Sequence, residues 1–309
     1  MTLRDWMNEW LRHYVVPTVK ERTYTRYKIA VELHILPALG EMGLDEITNS
    51  LIQHHVSELL ISGNQLNGKG LSPNSINTII SILQNSLGLA YSLGHIKSNP
   101  AVNIKRPKKE EKEVTCFTID EQRKIERAVQ EKKGQRIGIL LCLYSGLRIG
   151  ELLALEWSDI DFTKGLLSVN KACYYGKNEY SEYGRITYSP KTKSSIRIIP
   201  LPKVILTELK ELKRKAKTPY VIESRGKPVA VRVYQKSFET LINKLGIPHK
   251  SFHSLRHTFA TRALECGMDV RTLAEILGHK NPTVTLNRYA HSLMEHKVAM
   301  MNKLGKLLN

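Results

Sequence analysis

The chain has 309 residues, and 47 Lys and Arg against 29 Asp and Glu leave a formal charge of +18. That length suits two domains of ordinary size, and 41% apolar residues are enough to give each a core. No apolar run approaches the roughly 18–20 residues of a membrane span, the start from Met1 to Trp6 lacks a secretory leader's apolar region, and the excess positive charge points to a polyanion, most often nucleic acid.

In chain order, the first hundred residues predict helices. Leu3, Trp6, Trp10 and Leu11 fall at helical spacing, with Thr2 available as N-cap. A second helix is expected to begin after Val19-Lys20 and to end near Leu36-Pro37. Ser50 is placed to cap a helix through Leu60, and Pro73 sits early in another whose Ile76, Ile80, Leu83, Leu87 and Ala90 form a stripe. Between them, Gly63 to Gly70 reads as a loop. Nothing here demands a sheet, so residues 1–104 are expected to form an all-helical domain.

Lys105 to Glu113 has no apolar side chain beyond proline, cannot be buried, and is assigned as the interdomain linker. Residues 114–309 then form a second, mixed α+β domain. Thr118 with Glu121 three residues on has the arrangement of a capping box. Ile137 to Tyr144 is apolar enough for a buried helix, stopped by Gly146. Leu166 to Val169 and Ser195 to Ile199 read as strands, and the polar, Gly/Tyr-rich stretch through Gly184 as a long hairpin between them. After Pro202 the chain reads mostly helical, ending in a periodic tail at 291–309 (Leu293, Val298, Met301, Leu304, Leu308). The expected fold is therefore mainly α with a small β-sheet and hairpin, in two domains.

Charge is unevenly spread. Residues 1–113 hold 13 basic and 11 acidic side chains, whereas residues 164–250 hold 19 and 6. An excess that local favours a polyanion-binding surface over simple solubility. Cys116, Cys142, Cys173 and Cys266 show no metal-type spacing and fit reduced thiols in a cytoplasmic protein.

Four features bear on chemistry. Arg148 follows Gly146-Leu147 at a helix start, where its guanidinium can address an anion or simply pair with Glu151. In His253-Ser254-Leu255-Arg256-His257, His253 and Arg256 share a helix face and can meet one phosphate. A zinc reading of His253 and His257 fails, because Ser254 stands where a metalloprotease needs Glu. Leu277-Gly278-His279 puts Gly278 at a helix C-terminus and His279 at an exposed corner, with Tyr289 ten residues on, a position that on its own suits packing. Lys191, in Pro190-Lys191-Thr192-Lys193, reads alone as a solvated hairpin charge.

Together these blocks resemble the tyrosine recombinase, or phage integrase, family. Ser145 to Leu152 is similar to its first arginine block and Pro190 to Arg197 to its β-hairpin lysine block. Phe252 to Thr258 resembles the His-x-x-Arg box, while Leu277-Gly278-His279 and Asn287-Arg288-Tyr289 match the final block. They occur in order over about 145 residues, and the helical first domain resembles the family's core-binding, SAM-like domain.

The resemblance implies a site-specific recombinase that cuts and rejoins DNA through a 3′-phosphotyrosyl intermediate. Tyr289 is then the nucleophile, Arg148 and Arg256 the transition-state donors, and Lys191 the general acid to the leaving 5′-oxygen. His253 accepts or orients the tyrosine proton, His279 is a further phosphate donor, and Glu151 holds Arg148 in place. No cofactor and no metal are implied. The expected partners are double-stranded DNA, clamped between the two lobes, and further copies of the chain in a tetramer coupled by exchange of the tail, with DNA-bending accessory proteins also in view. Integration or excision of a phage or conjugative transposon is the leading task. Trp6 and Trp10 already fit the first core-binding helix, so the arm-binding domain that many integrases carry ahead of it is not part of these 309 residues; a natural short form and a piece of a longer chain both stay open, and Xer-like resolution at simple sites is the second task. A type IB topoisomerase, which relaxes supercoils with the same chemistry, is the third, and a non-catalytic DNA-binding protein is disfavoured by the intact polar set.

Overall fold

The structure is a computed structural model that describes residues 1–108, 115–131, 134, 136–177, 183–188, 196–289, 298, 301, 302, 304 and 305. The chain divides into two compact units, Met1–Lys112 and Glu113–Asn309.

The first unit is helical throughout. Helix α1 (Leu3–Glu9) is opened by a reciprocal box in which the Thr2 hydroxyl accepts from the Asp5 amide and the Asp5 carboxylate accepts from the Thr2 amide. It continues through a π-helical stretch, Trp10–Val15, and the predicted stripe of Leu3, Trp6, Trp10 and Leu11 is buried. Helix α2 (Glu21–Ala30) passes through a second π-helical stretch (Val31–Ile35) into α3 (Leu36–Leu39), so the helix does not stop at Pro37. The reason lies in the carbonyls. Pro37 has no N–H to offer Leu33 O four residues back, and Gln65 Nε2 donates to that oxygen instead, at 2.7 Å. His55 Nε2 likewise donates to His34 O at 2.7 Å. Side chains from outside the helix thus take over the hydrogen bonds that a proline would otherwise leave open.

Helix α4 (Asn49–Ser62) starts two residues earlier than a Ser50 cap implies, because Thr48 is its cap, with its hydroxyl accepting from the Leu51 amide. Helix α5 (Pro73–Ser92) is capped by Ser72 and buries Ile76, Ile80, Leu83, Leu87 and Ala90. Trp6 Nε1 donates to Ser86 O at 3.1 Å and ties α1 to α5 inside the core. The first residues of the expected linker are held against this unit. Arg106 donates to Asn77 O, Ser81 Oγ and Gln84 Oε1 on α5. A segment without apolar side chains can still be fixed when one guanidinium finds three acceptors.

In the second unit, α6 (Ile119–Glu131) follows the Thr118–Glu121 box, with both reciprocal bonds formed. Helix α7 (Ile137–Ser145) runs through the core and ends at Gly146, followed by the short α8 (Ile149–Ala154). Strands β1 (Ile160–Asp161) and β2 (Leu166–Val169) are followed by a hairpin of β3 (Ala172–Lys177) and β4 (Tyr183–Tyr188). The chain then returns as β5 (Arg197–Pro200), which pairs antiparallel with β2, Leu167 opposite Ile199, to complete a sheet of order β1-β2-β5. Helix α9 (Lys203–Lys215) and a two-stranded ribbon, β6 (Glu223–Ser224) with β7 (Lys227–Pro228), lead to α10 (Val231–Lys244). Helices α11 (His253–Glu265), α12 (Val270–Leu277) and α13 (Pro282–Tyr289) close the described part. The architecture is the mainly helical, two-unit arrangement with small antiparallel sheets that the sequence predicts. Most of the tail at 291–309 lies outside the described residues, and no helix among them is long and apolar enough to cross a membrane.

Candidate active site

The site is built where two helices stop. Helix α7 ends at Gly146, whose φ of 63° is left-handed. A Cβ there would meet the Phe259 ring at 2.6 Å and Leu277 Cδ2 at 2.7 Å, so both backbone and packing call for glycine. Helix α12 ends the same way at Gly278, φ 65°. Each stop leaves carbonyls without helical partners, and arginines collect them.

Arg256, on α11, is 2% exposed. It donates from NH1 to Gly146 O at 2.6 Å and from NH2 to Leu277 O at 2.7 Å, so one guanidinium staples the ends of α7 and α12. The negative ends of two helix dipoles stabilise a cation in that position. Arg256 NH2 also donates to His279 Nε2 at 2.9 Å. Because arginine cannot accept, Nε2 must be the acceptor, and the proton of His279 sits on Nδ1, which donates to Thr285 Oγ1 on α13 at 2.7 Å. His279 is therefore turned inward and held at both ring nitrogens, not left at an exposed corner. Two partners within reach outweigh the solvation of a corner position.

Arg148 is the N-cap residue of α8 and remains 38% exposed at its side chain. Its amide and its NH1 both donate to Glu151, at 2.9 Å each, and NH2 lies 3.5 Å from Gly278 O, at the limit of a hydrogen bond. Both sequence readings of Arg148 are thus compatible: it pairs with Glu151 and still presents a guanidinium edge.

Glu151 has a second arginine. Arg197, on β5, donates from NH1 to Oε1 at 3.1 Å and from NH2 to Oε2 at 2.8 Å, with both side chains 6% exposed. Arg197 Nε donates to Ile276 O at 2.5 Å. The last carbonyls of α12, on Ile276, Leu277 and Gly278, are therefore taken by Arg197, Arg256 and Arg148 in turn. Burial pushes the Glu151 carboxyl up, but the hydrogen bonds and charge of Arg197, with the charge of Arg148, outweigh it and hold the group at about 2. Three guanidiniums against one carboxylate leave a local charge of +2, suited to an anion that gains negative charge as it reacts.

Arg148, Glu151, Arg256 and His279 come together as one cluster. His253, at the first turn of α11, is exposed and sits edge-on to His257, ring centroids 4.7 Å apart. It shares a helix with Arg256 but not its burial. The backbone of Tyr289 closes α13, the helix whose Thr285 holds His279; the tyrosine side chain lies outside the described residues, as does Lys191. Among the described residues no three His, Cys, Asp or Glu side chains gather as a metal site.

Sequence reasoning passed over Arg197 and Thr285. A signal for Arg197 existed. In Ile196-Arg197-Ile198-Ile199 the period of two places Arg197 on the same face as Ile199, which is 1% exposed, and an inward arginine needs a carboxylate. For Thr285 we find no comparable signal.

Known proteins resemble this chain in sequence and in fold. Residues 116–296 match the phage integrase family, and residues 2–60 match the N-terminal SAM-like domain of phage integrases. The chain is 30% identical to a XerC-like tyrosine recombinase of Caldanaerobacter subterraneus subsp. tengcongensis, covering 99% of this chain and 83% of the relative. It is 25% identical to the ICEBs1 integrase of Bacillus subtilis, covering 94% and 79%. Its fold matches that of the Tn1549 transposon integrase, solved in complex with transposon right end DNA, with a TM-score of 0.81 at 24% identity over 99% of this chain and all of that one.

Proposed function

This chain belongs to the phage integrase family and is a site-specific tyrosine recombinase; from that premise we propose that it integrates and excises a mobile element, with Tyr289 as its nucleophile. The Tyr289 oxygen attacks a backbone phosphorus as the bond to the 5′-oxygen breaks, leaving a 3′-phosphotyrosyl link and a free 5′-hydroxyl. The reverse attack by a new 5′-hydroxyl reseals the strand, so bond energy is stored and no further energy source enters the balance.

The observation that carries this reading is the buried Arg256, fixed by the ends of α7 and α12 beside His279. A guanidinium whose position is set before the substrate arrives pays little reorganisation when the pentacoordinate phosphorane forms. Arg148 and Arg256 donate to the non-bridging oxygens. Lys191 protonates the departing 5′-oxygen, and His253 takes or orients the proton of Tyr289. Recombination between two duplexes cuts four strands with one tyrosine per protomer, so the working form is a homotetramer on double-stranded DNA. Exchange of the tail at 291–309 couples its protomers, and accessory proteins bend the DNA.

A second reading, Xer-like resolution of dimers, is supported by the XerC-like relative. Sequencing the DNA recovered covalently bound to the protein separates the two. Element ends joined to host sequence support integration, whereas a single site shared by two replicon copies supports resolution. Supplying a matched pair of sites completes the test, since nicking and resealing without exchange would indicate a topoisomerase.

A further inference from the structure

We propose that Arg197 is a positioning residue for strand cleavage, clipping Glu151 and the end of α12 together so that Arg148 and His279 keep their working separation. The inference rests on the recombinase reading of the site and adds a residue that this reading does not use.

Arg197 directs Nε to Ile276 O and NH1 and NH2 to the two Glu151 oxygens, so it acts through what it holds. Both Glu151 oxygens are shared: Oε1 accepts from Arg148 NH1 and Arg197 NH1, and Oε2 from the Arg148 amide and Arg197 NH2. A carboxylate gripped from two sides has a fixed plane, and Arg148 inherits that orientation. The Arg197 Nε bond to Ile276 O fixes the other side of the site, one turn before His279. Contact is close there, since a Cβ on Gly278 would lie 3.1 to 3.3 Å from the Arg197 side chain. One planar fork therefore sets the distance between the start of α8 and the end of α12, a task that needs guanidinium geometry and not charge alone. The strand that carries Arg197 gives it a rigid base, because β5 is zipped to β2 along its length.

The test uses the full-length chain and a nicked duplex carrying the sequence recovered from the wild-type covalent adduct. At saturating DNA, Arg197→Met should form the adduct about 100-fold more slowly, the cost of a displacement near 1 Å at a reacting centre, while DNA affinity stays close to wild type. Arg197→Lys should recover only part of the rate, since it restores charge without the fork.

The pH profile distinguishes positioning from mere stability. Glu151 is faced by Arg197 from β5, Arg148 from its own helix start and Cys142 from α7, with Arg256 on α11 and His279 beyond α12 next in line. The Cys142 thiol is pushed up by burial and by the Glu151 charge, so it stays neutral. With Arg197 gone, burial raises the Glu151 carboxyl from about 2, and adduct formation should acquire a loss of rate on acidification that begins at higher pH than in the wild type. Glu151→Gln in the same background should erase that loss. The double variant also protects against simple unfolding, because removing both charges of a buried pair is far milder than removing one. Its rate should exceed the product of the two single losses.

Wild-type rates for Arg197→Met would overturn the proposal. So would rate, affinity and melting temperature falling in proportion with an unchanged pH profile, or strictly multiplicative losses in the double variant. If the wild-type chain itself forms no adduct, the recombinase reading falls first.

Discussion

Arg256 holds the fold together with the same side chain that we propose for the chemistry. Two of its donors go to the carbonyls of Gly146 and Leu277, which aims the rest of the guanidinium at the corner shared with His279. Replacing it with lysine keeps the charge but cannot span both carbonyls. Arg256→Lys and Arg256→Ala should each lower strand cleavage by about 10²–10³-fold, with a smaller effect on DNA binding, as for loss of a transition-state donor. Tyr289→Phe should bind DNA normally and leave none of it covalently attached in a denaturing gel. Glu151 makes a prediction about pH. Its carboxyl is depressed from 4.5 to about 2, so its contribution to stability is complete above the unfolded value and is lost as pH falls from about 4.5 towards 2. Acid titration of Glu151→Gln should lack that segment of the stability curve. At neutral pH the same variant should be less stable by about 3–5 kcal/mol, because Arg197 keeps its burial and loses its counter-charge.

At the scale of elements, what matters is how helices end. Helices α7 and α12 both stop at glycines in the left-handed region, and both hand their last carbonyls to arginines that belong to other elements. Gly146→Ala should cost about 1–2 kcal/mol for the backbone alone, with more from the clash against Phe259 and Leu277. A drop in melting temperature measures this. Gly278→Ala carries the same backbone cost and presses on Arg197, so its loss of cleavage should exceed what its melting temperature accounts for. The helix around Pro37 follows the same logic in the first unit. There Gln65 and His55 supply donors to carbonyls that a proline and a π-helical stretch release, and Gln65→Ala should destabilise that unit by about 1 kcal/mol.

For the whole molecule the governing quantity is charge. The basic excess is concentrated in residues 164–250, within the unit that also holds the arginine cluster, whereas residues 1–113 are nearly balanced. Each phosphate contact releases counterions, so DNA affinity should fall by about 10³-fold or more between 50 and 200 mM salt if some six phosphates are engaged. A flat response in a fluorescence-anisotropy titration would contradict phosphate-dominated binding. Near neutrality does not make the first unit a bystander, since side chains that read grooves need no net charge.

Much of this was readable in the chain. Periodicity located the stripes of α1 and α5, the capping signals at Thr2 and Thr118 and the early Pro73 located helix starts, and alternation located β2 and most of β5. These are local effects, set by residues within a few positions of one another, and the motif blocks carried the family by order and spacing. The length of the helix through Pro37 was not readable, because the groups that rescue it lie on α4 and in the loop after it. Nor were the inward turn of His279 and the partnership of Arg197 with Glu151, 46 residues apart. Hydrogen-bond partners distant along the chain are chosen by packing, and packing is known only once the whole second unit is assembled. The sequence by itself determined which charges this protein carries and the order of its family motif blocks; only the tertiary structure decided that three arginines would divide the end of one helix among them, because unpaired carbonyls become targets only where the fold has buried them.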